Sequence, residues 1–321
     1  MSIDRLPIPS FAVPPAADPG PAAWLPGVAF PGQISDAEVL GRGLQRRAGH
    51  PLVRALEQVI DQDPGSADYT DTRVAQPCTY TLGLIRAWES WGEDAPLPLA
   101  MGHSLGEITA MAFAGAIDPY DGLRLVRALG EVGHEQYLRR PSALVAVVGL
   151  DRDTVEWQRR LVVADSGGIL EPSGYNDARQ TVLCGDERAV TAMVKYVRDG
   201  VGSARRLAIR GAYHSSLMVD VLPQWRAAVA ATRFRPPRLP LLSSVDLCVR
   251  SDTASLPELL GRWLVLPVRW HEATEVAARR GVAALWDAGP ADVLRRIGRR
   301  TGAIRFVERA GAVDDRIAEA R

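Results

Sequence analysis

A serine between two glycines is the feature of this 321-residue sequence that most strongly suggests chemistry. Ser104 is the centre of residues 102–106, which follow the pattern G-x-S-x-G. An apolar run precedes it and a helix-forming run follows, which predicts a strand, a sharp turn and a helix. Such a turn needs small residues, and it aims the hydroxyl at free N–H groups of the helix start, which can stabilise an oxyanion. The same pentapeptide occurs in glycine-rich loops, but its placement here favours a nucleophilic serine.

A serine hydroxyl becomes a good nucleophile only when a base takes its proton, and histidine is the usual base near neutral pH. Of the five histidines, His214 is the best candidate because it directly follows a predicted strand, where its side chain can enter a cleft. A histidine with a structural role is the alternative at this position. His103 adjoins Ser104, but a neighbour in such a turn points away from the hydroxyl, so we expect it to be structural.

The elements around these residues predict two parts of different texture. From residue 142 to 210 the pattern is β-α-β-β-α-β, which is typical of a ferredoxin-like unit. We expect it to be inserted between the halves of an α/β domain, where it would form one wall of a cleft. Residues 1–27 are rich in proline and predict an arm, and residues 311–321 predict a tail. A helix over 75–91 is predicted to start at Gln76-Pro77, because proline is tolerated in a first turn.

Composition and charge exclude several functions. The 38 basic and 38 acidic residues balance, so the chain lacks the net positive field of many nucleic-acid-binding proteins. No signal pattern is present, and no apolar run approaches the roughly 20 residues of a membrane helix. Three cysteines lie far apart in apolar contexts, which predicts buried, reduced thiols. We therefore expect a cytoplasmic protein that binds neither nucleic acid nor membrane.

Several short motifs occur along the chain in a fixed order. They are Phe30-Pro31-Gly32-Gln33, Gln76-Pro77, residues 102–107, Tyr175-Asn176 with Gln180, Val182 and Gly185, Ala212-Tyr213-His214-Ser215, Pro267-Val268-Arg269-Trp270, and Gly289-Pro290. In this order they resemble the malonyl-CoA:acyl-carrier-protein transacylase family, over residues 28–307. Ala178 stands where that family usually has proline.

The resemblance implies an α/β fold, in which an α/β-hydrolase-like core with a parallel sheet (residues 28–141 and 211–310) carries the ferredoxin-like small subdomain (142–210). It implies that Ser104 is the nucleophile and His214 its base, with the backbone N–H groups of Gln33 and Leu105 as the oxyanion hole. No metal and no bound cofactor are implied. The acyl groups would arrive on the phosphopantetheine of donor and acceptor acyl carrier proteins, or on coenzyme A, at a monomeric enzyme.

One departure from the family bears on the acyl group. Members that use malonyl groups carry an arginine that holds the substrate carboxylate, and Leu129 occupies its position. A leucine cannot replace a bidentate guanidinium, and Arg127 lies about 200° around the helix from Leu129. Malonyl is therefore disfavoured. Leu129, Asn176, Tyr213, Trp263 and Gln76 are predicted to line a remodelled acyl pocket.

A family member without the arginine that binds the malonyl carboxylate resembles the trans-acting acyltransferases of macrolactam-type polyketide pathways, which move aminoacyl or dipeptidyl starters between carrier proteins. Malonyl-CoA:acyl-carrier-protein transacylase and acyl-carrier hydrolase remain the alternatives within the family. Outside it, a serine esterase would need an acid such as Asp165 or Asp186, and a non-catalytic carrier-docking protein would not need Ser104 and His214.

Two groups of arginines are candidates for docking an acidic carrier protein. They are Arg205 and Arg206 before His214, and Arg295, Arg296 and Arg299 on the last predicted helix. Solvated helix and strand faces are the alternative interpretation of both groups.

Overall fold

Short apolar runs form most of the strands in the computed structural model, which describes residues 25–198 and 202–308. In chain order the strands of these residues are β1 (Gly27–Phe30), β2 (Ala100–Gly102), β3 (Ser142–Val148), β4 (Leu170–Asp177), β5 (Gln180–Asp186), β6 (Ser203–Arg206), β7 (Leu241–Ser243), β8 (Val249–Arg250), β9 (Ala284–Asp287) and β10 (Arg305–Val307).

Helices occupy most of the segments between the strands. In chain order they are α1 (Ala37–Gln45), α2 (Pro51–Ile60), α3 (Thr72–Trp91), α4 (Gly106–Phe113), α5 (Pro119–Arg139), α6 (Arg152–Ser166), α7 (Glu187–Arg198), α8 (Leu222–Ala231), α9 (Ser255–Trp263), α10 (Trp270–Arg279) and α11 (Val293–Thr301), with a 3-10 turn at Ser216–Val221 before α8.

A six-stranded sheet forms the centre of the larger part. Its strand order is β10-β9-β1-β2-β7-β8, and all neighbours are parallel except β7 and β8. Every residue of β1, β2 and β9 is buried, as expected for parallel strands with helices on both faces. The carboxyl ends of β1 and β2 are adjacent, since Phe30 pairs with Gly102, and this edge is where a parallel sheet places its active site.

The second sheet confirms the predicted β-α-β-β-α-β order. Its strands are antiparallel and ordered β4-β5-β3-β6. Side chains alternate along β3: Val145 and Val147 pack under α6 and α7, whereas Leu144 and Ala146 join the main core. The second sheet therefore turns one apolar face toward the larger part, as a cleft wall requires.

Backbone hydrogen bonds join the two sheets next to this cleft. The Tyr175 N–H donates to Val268 O at 2.7 Å, and the Val268 N–H donates to Ser173 O at 2.9 Å. The Ser173 hydroxyl also donates to Tyr213 O at 3.0 Å, directly before His214. These contacts fix the second sheet against the chain that carries the candidate base.

The prediction that a helix starts at Gln76-Pro77 is wrong. α3 starts at Thr72 behind an Asp71 cap, so Pro77 lies inside it. Proline removes the N–H that would bond the carbonyl four residues earlier, and the Arg127 guanidinium donates to that carbonyl, Arg73 O, at 3.2 Å. Pro77 is tolerated because α5 supplies a replacement donor.

Other expectations concern the chain termini, the three cysteines and membrane-spanning helices. Most of the predicted N-terminal arm and all of the predicted tail lie outside the described residues. Cys78 and Cys184 are buried as expected, whereas Cys248 is exposed. Within the described residues, none of the helices is long and apolar enough to cross a membrane.

Candidate active site

The turn between β2 and α4 presents Ser104 as the sequence predicts. Ser104 has φ of +54°, a left-handed conformation that costs free energy and is often kept at functional sites. A Cβ atom at Gly102 would lie 2.0 Å from the Gly106 backbone, and one at Gly106 would lie 2.0 Å from Phe30 O. Both glycines are therefore required by the close approach of strand and helix.

His214 is the partner of Ser104. Its Nε2 lies 2.7 Å from Ser104 Oγ, and it too has a left-handed backbone, with φ of +64°. Its Nδ1 lies 3.2 Å from Trp263 O and 3.0 Å from Leu266 O. Carbonyl oxygens only accept hydrogen bonds, so the proton belongs on Nδ1 and the Nε2 lone pair faces the serine.

Burial determines the charge of this histidine. Burial lowers the pKa of His214 to about 4, and the nearby His103 acts in the same direction. The imidazole is therefore neutral at neutral pH, which is the state that can accept the serine proton.

Among the described residues, no carboxylate completes a triad with Ser104 and His214. Backbone carbonyls occupy Nδ1, while Asp186 forms an ion pair with Arg140 and Asp165 is exposed on α6. Neither acid that a serine esterase would need contacts the imidazole.

Two backbone N–H groups predicted for the oxyanion hole belong to residues that line the same cavity as Ser104. Gln33 follows the end of β1, and Leu105 lies between Ser104 and the first turn of α4. Among the described residues neither N–H has a hydrogen-bond acceptor. Both border the cavity that contains Ser104, so they can donate to an oxygen that develops negative charge there.

The cavity has a volume of about 430 Å³ and lies between the two sheets. Four of the five residues predicted for the pocket line it: Gln76, Leu129, Asn176 and Tyr213. The prediction for Trp263 differs from the structure, because this residue is fully buried and outside the cavity lining. Its ring instead packs edge-on against the His214 ring, with centroids 4.9 Å apart.

His103 also borders the cavity and has a partner that the sequence did not indicate. Its Nε2 lies 2.8 Å from Asn176 Oδ1, so the second sheet holds the ring through an amide. Burial lowers the pKa of His103, which keeps a second positive charge away from His214. The expectation of a structural role agrees with this geometry.

The five arginines predicted to dock a carrier protein differ in whether they already form ion pairs. Arg206 pairs with Glu187, and Arg295 pairs with Asp292 and Glu308. Arg205, Arg296 and Arg299 are exposed and form no ion pair with another described residue. Arg205 on β6 and Arg296 on α11 line the cavity, so they border it from opposite parts of the molecule.

The sequence did not indicate how α11 reaches the cavity. Buried Asp287 at the end of β9 accepts hydrogen bonds from the N–H groups of Gly289, Leu294 and Arg295. Burial raises the pKa of Asp287 to about 6 against the effect of these bonds. A local N-cap pattern could not indicate this role, because the N-cap position of α11 is Asp292, which makes no side-chain cap hydrogen bond, whereas Asp287 lies further upstream at the end of β9.

Known proteins share this fold and sequence pattern. The family described as the acyl transferase domain matches residues 52–314. The malonyl CoA-acyl carrier protein transacylase of Escherichia coli strain K12 is 29% identical over 286 residues, which are 84% of this chain and 91% of the relative.

Solved structures agree. The acyl-carrier-protein S-malonyltransferase of Burkholderia pseudomallei 1710b is 29% identical with a TM-score of 0.75, and covers 87% of this chain and 94% of its own. A malonyl-transacylase solved in complex with its type II PKS acyl-carrier protein is 26% identical with a TM-score of 0.76, over 89% and 96% of the two chains. With the match to the family extending over most of its length, this chain belongs to the acyl transferase domain family.

Proposed function

We propose that this acyltransferase moves acyl groups between phosphopantetheine thioesters through an ester on Ser104. The observation that carries the proposal is the 2.7 Å contact between Ser104 Oγ and His214 Nε2 inside a cavity. A neutral imidazole and a hydroxyl at this distance are ready for proton transfer as the oxygen attacks a carbonyl.

The geometry supports a two-step reaction. His214 Nε2 takes the Ser104 proton as Oγ bonds to the thioester carbonyl carbon, and the N–H groups of Gln33 and Leu105 stabilise the oxyanion. Collapse breaks the C–S bond, and the imidazolium returns the proton to the leaving thiolate. A second thiol then attacks the acyl-serine by the same steps in reverse, so the enzyme is restored.

Acyl carrier proteins are the proposed donor and acceptor. The E. coli relative is named for acting on a carrier protein, and one structural relative is in complex with one. Arg205, Arg296 and Arg299 support the same partner here, because they are exposed cations without a carboxylate among the described residues. Arg206 and Arg295 are weaker docking candidates, since each is already paired.

The names of the relatives favour malonyl as the acyl group. The sequence analysis gave malonyl transfer as an alternative and a non-malonyl acyl group as its main prediction. In this enzyme a malonyl carboxylate would have to be held by Arg205 or Arg296, the two cations that line the cavity. Substituting either arginine would then reduce malonyl transfer selectively.

A second candidate is an uncharged or amine-bearing acyl group, such as the aminoacyl or dipeptidyl starter of a macrolactam-type pathway. Leu129 supports it, since this side chain lines the cavity and is only 1% exposed. Arg127, two residues earlier, is engaged with Arg73 O and pairs with Glu131. A carboxylate beside Leu129 would be desolvated without a cation, which costs several kcal/mol.

Intact-protein mass spectrometry tests the proposal. The enzyme and a Ser104→Ala control would be mixed with malonyl, acetyl and aminoacyl thioesters, on coenzyme A and on carrier protein. We expect a Ser104-dependent acyl adduct that disappears when a second carrier protein is added, with the acyl mass gained by that carrier. An adduct lost only to water would identify a hydrolase, and the absence of any adduct would refute acyl transfer.

A further inference from the structure

Two of the short sequence motifs lie against each other beside the cavity. They are Phe30-Pro31-Gly32-Gln33, which starts at the end of β1, and Gly289-Pro290, which follows β9. β1 and β9 are neighbours in the parallel sheet, so the two loops leave the same edge side by side. A Cβ atom at Gly289 would lie only 2.6 Å from Pro31 Cγ. The turn at Gly289 therefore packs directly against Pro31, two residues before Gln33.

The side chain that holds this turn is Asp287. It ends β9 and is buried, and its Oδ1 accepts a hydrogen bond from the Gly289 N–H at 2.8 Å. Its other oxygen, Oδ2, accepts from the Leu294 N–H at 2.9 Å and from the Arg295 N–H at 3.1 Å. One carboxylate therefore fixes the turn against Pro31 with one oxygen and the start of α11 with the other.

The start of α11 depends on this acceptor. At the N-cap position, Asp292 has a left-handed backbone with φ of +48° and makes no side-chain cap hydrogen bond. The first N–H groups of a helix have no partner within the helix, so an acceptor from outside has to replace the missing cap. Val293, Leu294 and Ile297, on the first turns of α11, line the cavity. Asp287 therefore also fixes one wall of the cavity.

We infer that Asp287 is a positioning residue for the oxyanion hole: through Gly289 and Pro31 it fixes the position of the Gln33 N–H. This inference rests on the proposed acyl transfer, because it assigns that N–H to the oxyanion of the reaction. An oxyanion hole is effective only when its donors are already held where the oxyanion will form. Asp287 lies outside the cavity lining, so it acts by placing other groups.

Two substitutions separate the roles of the two carboxylate oxygens. The amide of Asp287→Asn has a single acceptor oxygen, which should turn toward the two N–H groups of α11 and leave the Gly289 N–H unpaired. We expect the maximum rate of Ser104 acylation in single turnovers to fall about tenfold, which is less than for outright loss of an oxyanion donor. The half-saturating thioester concentration should stay unchanged. Asp287→Ala removes both acceptors, so the same fall in rate should be joined by a higher half-saturating concentration.

The assay uses malonyl-, acetyl- and β-alanyl-pantetheine at pH 8, where Asp287 is ionised because burial raises its pKa only to about 6. Asp151→Ala is the matched control, since it removes the N-cap of α6, away from the cavity lining. The control should lower the melting temperature and leave both kinetic constants unchanged. A full acylation rate in Asp287→Asn, or an equal loss of rate in Asp151→Ala, would overturn the inference.

A Pro31→Ala background tests whether Asp287 acts through the contact with Pro31. If it does, Asp287→Asn should lower the acylation rate far less when the proline ring is absent. An equal loss in both backgrounds would contradict this coupling. Equal rates in the wild type and Asp287→Asn would reject only the role of Asp287, whereas no acylation of wild-type Ser104 by any of the three thioesters would reject the proposed function.

Discussion

The pH dependence of Ser104 acylation follows directly from the surroundings of His214. A histidine has an ordinary pKa of 6.5, and burial lowers the pKa of His214 to about 4. The difference of two to three pKa units corresponds to roughly 3 kcal/mol against the imidazolium, at about 1.4 kcal/mol per unit. Acylation should therefore persist well below pH 6.5 and decline only with an apparent pKa near 4.

Trp263 is the side chain through which this pKa can be changed. Its fully buried ring lies edge-on to the imidazole, while only its backbone carbonyl contacts Nδ1. Trp263→Gln keeps the carbonyl, but it replaces an apolar wall by a smaller polar side chain that admits water. We expect the pKa of His214 to rise by about one unit, which is about 1.4 kcal/mol. Acylation at pH 5 should then fall relative to pH 8.

Single-turnover acylation measured from pH 4 to 8 provides the assay, because kcat/KM reports the free enzyme's base. Trp225 is the matched control, since it packs on Trp263 at 6.0 Å and no ring contact joins it to His214. Trp225→Phe should leave the midpoint in place. A wild-type midpoint near pH 6.5, or an unshifted midpoint in Trp263→Gln, would refute the effect of burial.

The folded state should tolerate these acidic conditions, because a buried histidine and two buried acids change the free energy of unfolding in opposite directions as the pH falls. Since the folded pKa of His214 lies below 6.5, the unfolded chain binds more protons, and stability falls as pH drops from about 6.5 to 4. Burial raises the pKa of Glu107 to about 7 and of Asp287 to about 6. These acids make stability rise as pH drops from about 7 toward 4, and together they outweigh the opposing contribution of His214.

Three further predictions concern other contacts. Arg127→Met should lower the free energy of unfolding by about 1 kcal/mol, since the half-buried Arg73 carbonyl loses its donor. The loss should be much smaller in a Pro77→Ala background, where the helix regains its own N–H. Urea unfolding of the four proteins measures this coupling, and equal effects in both backgrounds would contradict it. Arg299→Gln should raise the KM for carrier protein and weaken its salt dependence, whereas Arg206→Gln, which removes a paired arginine, should do so less; steady-state transfer at several ionic strengths tests this. Leu129→Arg should increase acylation by malonyl-CoA. Unchanged malonyl turnover would refute the hypothesis that the leucine at this position disfavours malonyl.

Local pattern was sufficient for much of the fold and for the turn that presents Ser104. The apolar run before Ser104 and its flanking glycines specify the turn, because a Cβ atom at either glycine would lie only 2.0 Å from a backbone atom. The β-α-β-β-α-β order was also evident, since each element has its own hydrophobic period. The strand expected directly before His214 is shorter than predicted: β6 ends at Arg206 and belongs to the second sheet, so His214 reaches Ser104 from a loop.

Long-range contacts determined what the sequence did not predict. Pro77 indicated a helix start because the replacement donor, Arg127, lies 50 residues away. Trp263 was predicted to line the pocket because it replaces a glutamine that is common at this position in the family that the sequence resembles. The ring is instead fully buried behind the imidazole, where a large apolar side chain is most stable. Arg206 pairs with Glu187 and Arg295 with Glu308, which belong to other elements of the fold, so no local charge pattern reveals these pairs. The second pair of Arg295, with Asp292, is local.

The base strength of His214 does not decide between transfer and hydrolysis. Backbone carbonyls fix the tautomer but stabilise the imidazolium less than a carboxylate would, which agrees with a pKa of about 4. Water is a far weaker acid than an acceptor thiol, whose pKa is about 8.5, so proton transfer to His214 is more uphill for water. This difference belongs to the two nucleophiles and is the same for any base, so the lowered pKa of His214 does not change it. Transfer and hydrolysis therefore differ in whether a carrier thiol or water reaches the acyl-serine.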